Sequence, residues 1–169
     1  MKFITDLRLL LLGGWLGAAI FFVAIAQTAF ALLPERELAG ALVGRTLSLL
    51  NFAGLAVAFL VFVLSLANRA RSGTILVWAE RAMAILLAIA CALGQFVTGI
   101  LISSIRSQMG GRPIDEFAID DPLRVRFNEL HEYSTWILAI AMIAALVGFF
   151  AVSVRNRTDS AVNTDFSDS

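Results

Sequence analysis

Six polar side chains stand inside or at the edge of otherwise apolar stretches of this 169-residue chain: Gln27, Asn51, Gln95, Thr98, His131 and Ser134. Carboxamides and hydroxyls hydrogen-bond a neutral ligand, and an imidazole also takes up a proton near neutral pH. The same groups on apolar helices equally well bridge neighbouring helices, at about 0.6 kcal/mol per bond in a membrane. Interhelical glue and a polar ligand pocket are therefore both open readings. His131, the only histidine, divides in the same way between a structural hydrogen-bonder and a ligand or proton relay. Asp115, Glu116, Asp120 and Asp121 offer oxygen donors of the kind that hold a divalent cation, although a solvated acidic loop has the same composition.

Other chemistries lack their residues. One histidine cannot ligate a haem from both sides within one chain. No HExxH, GxSxG, Walker or GxGxxG pattern occurs. The single cysteine, Cys91, makes an internal disulfide or a CxxC site impossible. The formal net charge is zero, so no basic excess points to nucleic acid as a partner. No charge stands in the middle of an apolar stretch, which argues against an ion-coupled pump. No catalytic residue, metal ligand or cofactor is assigned, and the chain is expected not to be an enzyme.

The elements that must position the six polar residues are four charge-free windows, 9–33, 46–67, 82–105 and 134–154. Each exceeds the roughly 20 residues a helix needs to cross a hydrocarbon core of about 30 Å. Lipid cannot satisfy free backbone groups, and nothing alternates as barrel strands do, so helices are required. The composition agrees: 59% hydrophobic, 15% charged and a mean hydropathy of +0.85. The expected fold is all-α, an integral membrane four-helix bundle over residues 1–157, with 158–169 a disordered polar tail. Ala24, Ile25 and Ala26 resemble a signal-peptide cleavage site, but the apolar run continues to Leu33, so a retained helix is expected. Pro34 is placed to open the second helix. A short link, 68–73, joins the second and third. The long connection from Arg106 contains Gly110, Gly111, Arg112 and Pro113. Asp121 and Pro122 then form a cap and first turn, with Leu123, Phe127 and Leu130 on one face of an amphipathic extension leading into the fourth span.

Each span carries a stripe of small and polar residues at helical spacing, expected to face inward. The stripes are Gly13, Gly17, Ala24, Gln27 and Ala31; Gly44, Ser48, Asn51, Ala58 and Ser65; Ala84, Ala88, Cys91, Gln95 and Thr98; and His131, Ser134, Ala141, Ala145 and Gly148. Measured from the end that carries the long connection, all six polar candidates lie within about 15 Å. The opposite half reads as nearly pure hydrocarbon apart from Ser65, with Glu80 and Arg81 at the headgroups. Basic residues divide evenly between the two sides. Arg69 and Arg71 occupy a very short link, which favours cytoplasmic termini; the expected setting is a bacterial inner membrane.

Trp15, Leu16 and Gly17 with Phe21 and Phe22 resemble the opening helix of the transmembrane-protein-205-like family of four-span proteins. Phe30, Leu33, Pro34, Ala39, Gly40 and Gly44 continue the likeness. The run from Phe127 through His131 to Ser134 is similar to that family's entry into its last helix, and Gln95, Phe96 and Val97 through Arg106 to its third-helix motif. The likeness reaches about Val154 and implies a four-span fold. Where the family has an asparagine one turn after the serine, this chain has Leu138, and the proline expected near Ile102 is missing. A wider superfamily handles copper or haem through membrane histidines and methionines that this chain mostly lacks, so that chemistry is not carried over.

The leading functional expectation is a protein that binds or moves a small uncharged or lipid-like molecule through a polar pocket in one half of the bundle. The alternative is an accessory subunit of a larger membrane complex or a homo-oligomer, with Phe59, Phe62, Phe149 and Phe150 on outer faces. A redox or metal protein ranks last. The lipid bilayer is the one partner the composition requires.

Overall fold

The computed structural model describes residues 2–67, 74–110 and 112–165, with side chains over 3–66, 75–110 and 112–155. Among the described residues, five α-helices make four spans. Helix α1 is Lys2–Leu32 and α2 is Arg36–Ala67. The third span is built from α3 (Thr74–Ala92), a π-helical turn at Leu93–Thr98, and α4 (Gly99–Gln108). After a 3-10 turn at Ile114–Glu116, α5 runs over Pro122–Asp165. Four helical stretches, Phe3–Leu32, Arg36–Leu66, Ile75–Gln108 and Pro122–Arg155, are long and apolar enough to cross a membrane. The protein is an all-α four-helix membrane bundle. The link at 68–73 lies outside the described residues.

Antiparallel neighbours pack in a ring: α1 against α2 and α5, and α3 against α2 and α5. Lipid tails are as apolar as leucine, so close van der Waals packing rather than water exclusion must hold such a ring. The core has that character. Ala19, Ala58, Ala84, Ala90, Ala141, Ala144 and Ala145 are buried around Trp15, Leu12, Leu87 and Phe22. At Gly54 the approach is so close that any Cβ would overlap Cys91 Sγ and Trp15 Nε1. The Trp15 indole N–H donates to the Leu50 carbonyl at 3.0 Å, tying α1 to α2 and giving the buried ring the partner it needs.

The stripes of α2 from Ser48 onward, of the third span and of α5 beyond Ser134 face inward, but exposed Gly44 and most of the first stripe do not. Gly17, Ala24, Gln27 and Ala31 are exposed, and α1 buries Thr5, Arg8, Leu12, Trp15, Ala19 and Phe22 instead. Spacings of three and four put these on one face. Volume decides the choice, because the ring needs Trp15 and Phe22 to fill its centre. Two of the aromatics expected outside, Phe62 and Phe149, pack partly buried on the core, while Phe59 and Phe150 stay exposed.

Boundaries also move. Pro34 sits in the bend rather than opening α2, which starts at Arg36, where Ala39 N–H donates to Glu35 O. Asp121 caps α5 as its type and place require, its carboxylate accepting from Leu123 N–H at 2.8 Å. Residues 155–165 contain neither proline nor glycine. No breaker interrupts α5 there, and the helix runs on to Asp165, over part of the stretch 158–169 expected to be a disordered tail.

Candidate functional site

The long connection is built onto the bundle by a small core of its own. Gly110 ends the third span with φ +64°, a backbone conformation that glycine adopts freely. Ile105, Met109 and Phe117 are then buried together, with Leu123, Phe127 and Leu130 packed on them. The Arg112 guanidinium lies 4.5 Å from the Phe117 ring centre. Arg124 Nη1 donates to the Phe117 carbonyl at 2.7 Å. Asp115 faces Arg36 at 3.4 Å and Arg124 at 4.0 Å. With Asp115 set against arginines and Asp121 capping α5, two of the four acids proposed as oxygen donors are already engaged.

Beneath this cap two cavities adjoin. The smaller, about 680 Å³, lies between α2, the third span and α5, and is lined by Asn51, Gln95, Thr98 and Ser134 among others. The larger, about 710 Å³, lies among α1, α2, α5 and the cap, with Gln27, His131 and Ser134 in its wall. The six polar positions thus line two adjoining spaces. Ser134, Gly40, Gly44 and Arg106 border both. Arg106 is wedged at this shared edge. It fills the space a side chain would take at Gly40, stands 5.7 Å from the Phe127 ring centre and faces Glu37 at 3.7 Å.

The wall of the smaller cavity contains the π-turn. Gly94 O accepts both from Gly99 N–H and, at 2.8 Å, from Thr98 Oγ1. A π-turn inserts one extra residue into a helix and is frequent at functional sites. The bare Gly94 backbone leaves room for Asn51 of α2, whose Nδ2 would lie 3.1 Å from any Cβ there. Asn51 is only 5% exposed, and among the described residues its carboxamide has no hydrogen-bond partner. Leaving such a group buried and unmet costs about 1–3 kcal/mol. Gln95 is half-buried, Gln27 and His131 are exposed, and His131 stacks parallel on Phe127 with ring centres 6.4 Å apart.

At the other end the structure corrects the expectation of nearly pure hydrocarbon. Glu80 of α3 is 1% exposed and accepts from two guanidiniums, Arg8 Nη1 of α1 and, at 2.8 Å, Arg155 Nη1 of α5. Arg8 also donates to Thr5 Oγ1, and Arg81 Nε donates to Ser65 Oγ at 3.0 Å, bringing in α2. These charges flank the charge-free windows and so read as headgroup residues. A signal was present. The inward stripe of the third span, carried back four residues from Ala84, reaches Glu80, and that of α5, carried on from Gly148, reaches Val152 and Arg155.

No curated protein and no solved structure matches the chain. The model of one family, the domain of unknown function DUF4149, matches residues 10–110. That segment holds Gln27, Asn51, the π-turn with Gln95 and Thr98, and Glu80, and it stops short of His131, Ser134 and Arg155. The match covers more than half of the sequence, and the chain belongs to the DUF4149 family, here a polytopic membrane protein of four helices.

Proposed function

We propose that this chain is a non-enzymatic membrane protein that binds or helps move a small uncharged or lipid-like molecule through the cavities at its long-connection end. The buried Asn51 carboxamide carries this reading. It packs against Gly94 of the π-turn in the wall of a space of about 680 Å³, and a neutral hydrogen-bonding ligand there would satisfy it. Amides and hydroxyls predominate among its polar neighbours there, and these groups bond a ligand without exchanging protons. The resemblance to the transmembrane-protein-205-like family, carried by residues such as Trp15 and the run from Phe127 to Ser134, is part of the same proposal. A bacterial inner membrane with both termini cytoplasmic is the proposed setting.

The test compares small molecules extracted from wild-type protein and from an Asn51→Leu/Gln95→Leu variant, purified in mild detergent and matched for folded yield. A species present with the wild type and depleted in the variant is the expected result. Identical extracts overturn the reading. The accessory-subunit alternative draws on the outward-facing Phe59 and Phe150, and a lone monomer on native purification counts against it.

A further inference from the structure

We propose that the larger cavity recognises an anionic amphiphile, a phospholipid whose charged headgroup lies at the arginine rim while its acyl chain runs along the apolar wall toward the bilayer. The inference rests on the ligand-binding reading above and names the ligand's charge. Its basis is how charge is sorted at this end of the bundle. The two connections and their flanks hold six arginines, at 36, 45, 106, 112, 124 and 126, and eight carboxylates. The surroundings are therefore acidic in sum. The wall of the larger cavity reverses that balance. It carries Arg36, Arg106, Arg112 and Arg124 against only Glu37 and Asp115. Glu116, Asp120, Glu129 and Glu132 belong to the exposed surface and have no part in the wall.

Three of the four guanidiniums are placed rather than free to wander, while Arg36 stands largely exposed at the rim. Arg112 is held over Phe117, Arg124 is bonded to the Phe117 carbonyl, and Arg106 fills the space left by Gly40. Their carboxylate partners are loose, with nitrogen–oxygen distances of 3.4, 3.7 and 4.0 Å. Pairs so long and partly exposed contribute little, so a phosphate that accepts two forked hydrogen bonds would displace them readily. Below the rim the wall turns apolar at Phe22, Val43 and Leu138. Val23 and Phe30 also line it while lying exposed on the outer face of α1, which gives an acyl chain a way out to lipid. A basic recess between membrane helices is a recurrent site for anionic headgroups.

The test uses the full chain in nanodiscs holding equal mole fractions of phosphatidylglycerol and phosphatidylcholine, with bound lipid per chain read by native mass spectrometry. Wild type should retain phosphatidylglycerol in several-fold excess, and Arg36→Gln/Arg112→Gln should abolish the excess. Arg126→Gln removes the same charge from the exposed face outside the cavity wall and should keep it, with circular dichroism confirming equal folding. Inorganic phosphate at millimolar concentration should not displace the lipid; displacement would identify a free anion as the ligand and overturn the proposal. Equal loss of the excess in Arg126→Gln would overturn it too, by showing bulk charge at work. Equal retention of both lipids by wild type removes the anionic headgroup but leaves the lipid-like reading intact. Retention of neither, with identical small-molecule extracts, removes both.

Discussion

Glu80 and Asn51 are both buried polar residues of the same bundle, and their surroundings are opposites. Glu80 accepts from two arginines on two other helices and is shut off from solvent. Asn51 lies in a cavity wall against the glycine of a π-turn, with no bonding partner among the described residues. Counted from Arg8 to Gln27 along α1, the two ends stand about 28 Å apart at 1.5 Å per residue, close to the thickness of the hydrocarbon core. One end satisfies its buried carboxylate internally, and the other leaves the buried Asn51 carboxamide to something else. Buried groups kept satisfied serve the fold, whereas a cost left standing is a mark of function.

The contrast breaks most visibly at Glu80. Glu80→Ala removes the carboxylate that Arg8 and Arg155 share, and breaking a buried ion pair typically costs about 3–5 kcal/mol. Thermal unfolding in detergent should show a larger drop than Gly54→Ala or Thr98→Val produces. A loss no greater than that of an exposed residue would mean the cluster does not hold the ring. Gly54→Ala comes next. Its Cβ has to displace Cys91 or Trp15, an overpacking cost of about 1–3 kcal/mol, and the Trp15 fluorescence should change with it.

Asn51→Leu should move the other way. Replacing an unmet amide by an apolar side chain of similar size should raise stability by about 1 kcal/mol while depleting the bound molecule. A destabilisation instead would return Asn51 to the role of interhelical glue. The smallest effect belongs to Thr98→Val, which loses one hydroxyl bond to Gly94 O, worth about 0.6 kcal/mol in a membrane. A much larger loss, read in the same unfolding assay, would mean that this hydroxyl maintains the π-turn.

Much of the fold was legible because lipid leaves the backbone so few choices. Four charge-free windows had to be helices, and Asp121 with Pro122 marked where the last one begins. The inward face of α1 was not legible, because its small residues suggested close packing while the ring needed Trp15 and Phe22 for volume. The ends of the spans misled for a related reason. A charge just outside an apolar window is ordinary at a headgroup, and only the pairing of Arg8, Glu80 and Arg155 across three helices makes burial affordable. Within the candidate site, depth along each helix grouped the six polar residues at one end. The π-turn was hidden, since it depends on backbone hydrogen bonding that no residue pattern specifies. Arg106, at the edge common to both cavities, stood outside every charge-free window and gave no sign of facing inward.

The shared carboxylate of Glu80 also bears on how the protein is made. Residues leave the ribosome in order, so Arg8 enters the membrane before its acceptor exists and Arg155 arrives only with the final span. Helix α3 is therefore the keystone on which the first and last helices close. A nascent chain halted before Glu80 should still hold α1 in the bilayer, since its apolar length suffices, yet leave Arg8 without the carboxylate it pairs with in the finished bundle. Final packing of the ring, as distinct from the orientation of its spans, would then be settled by the last segment to emerge.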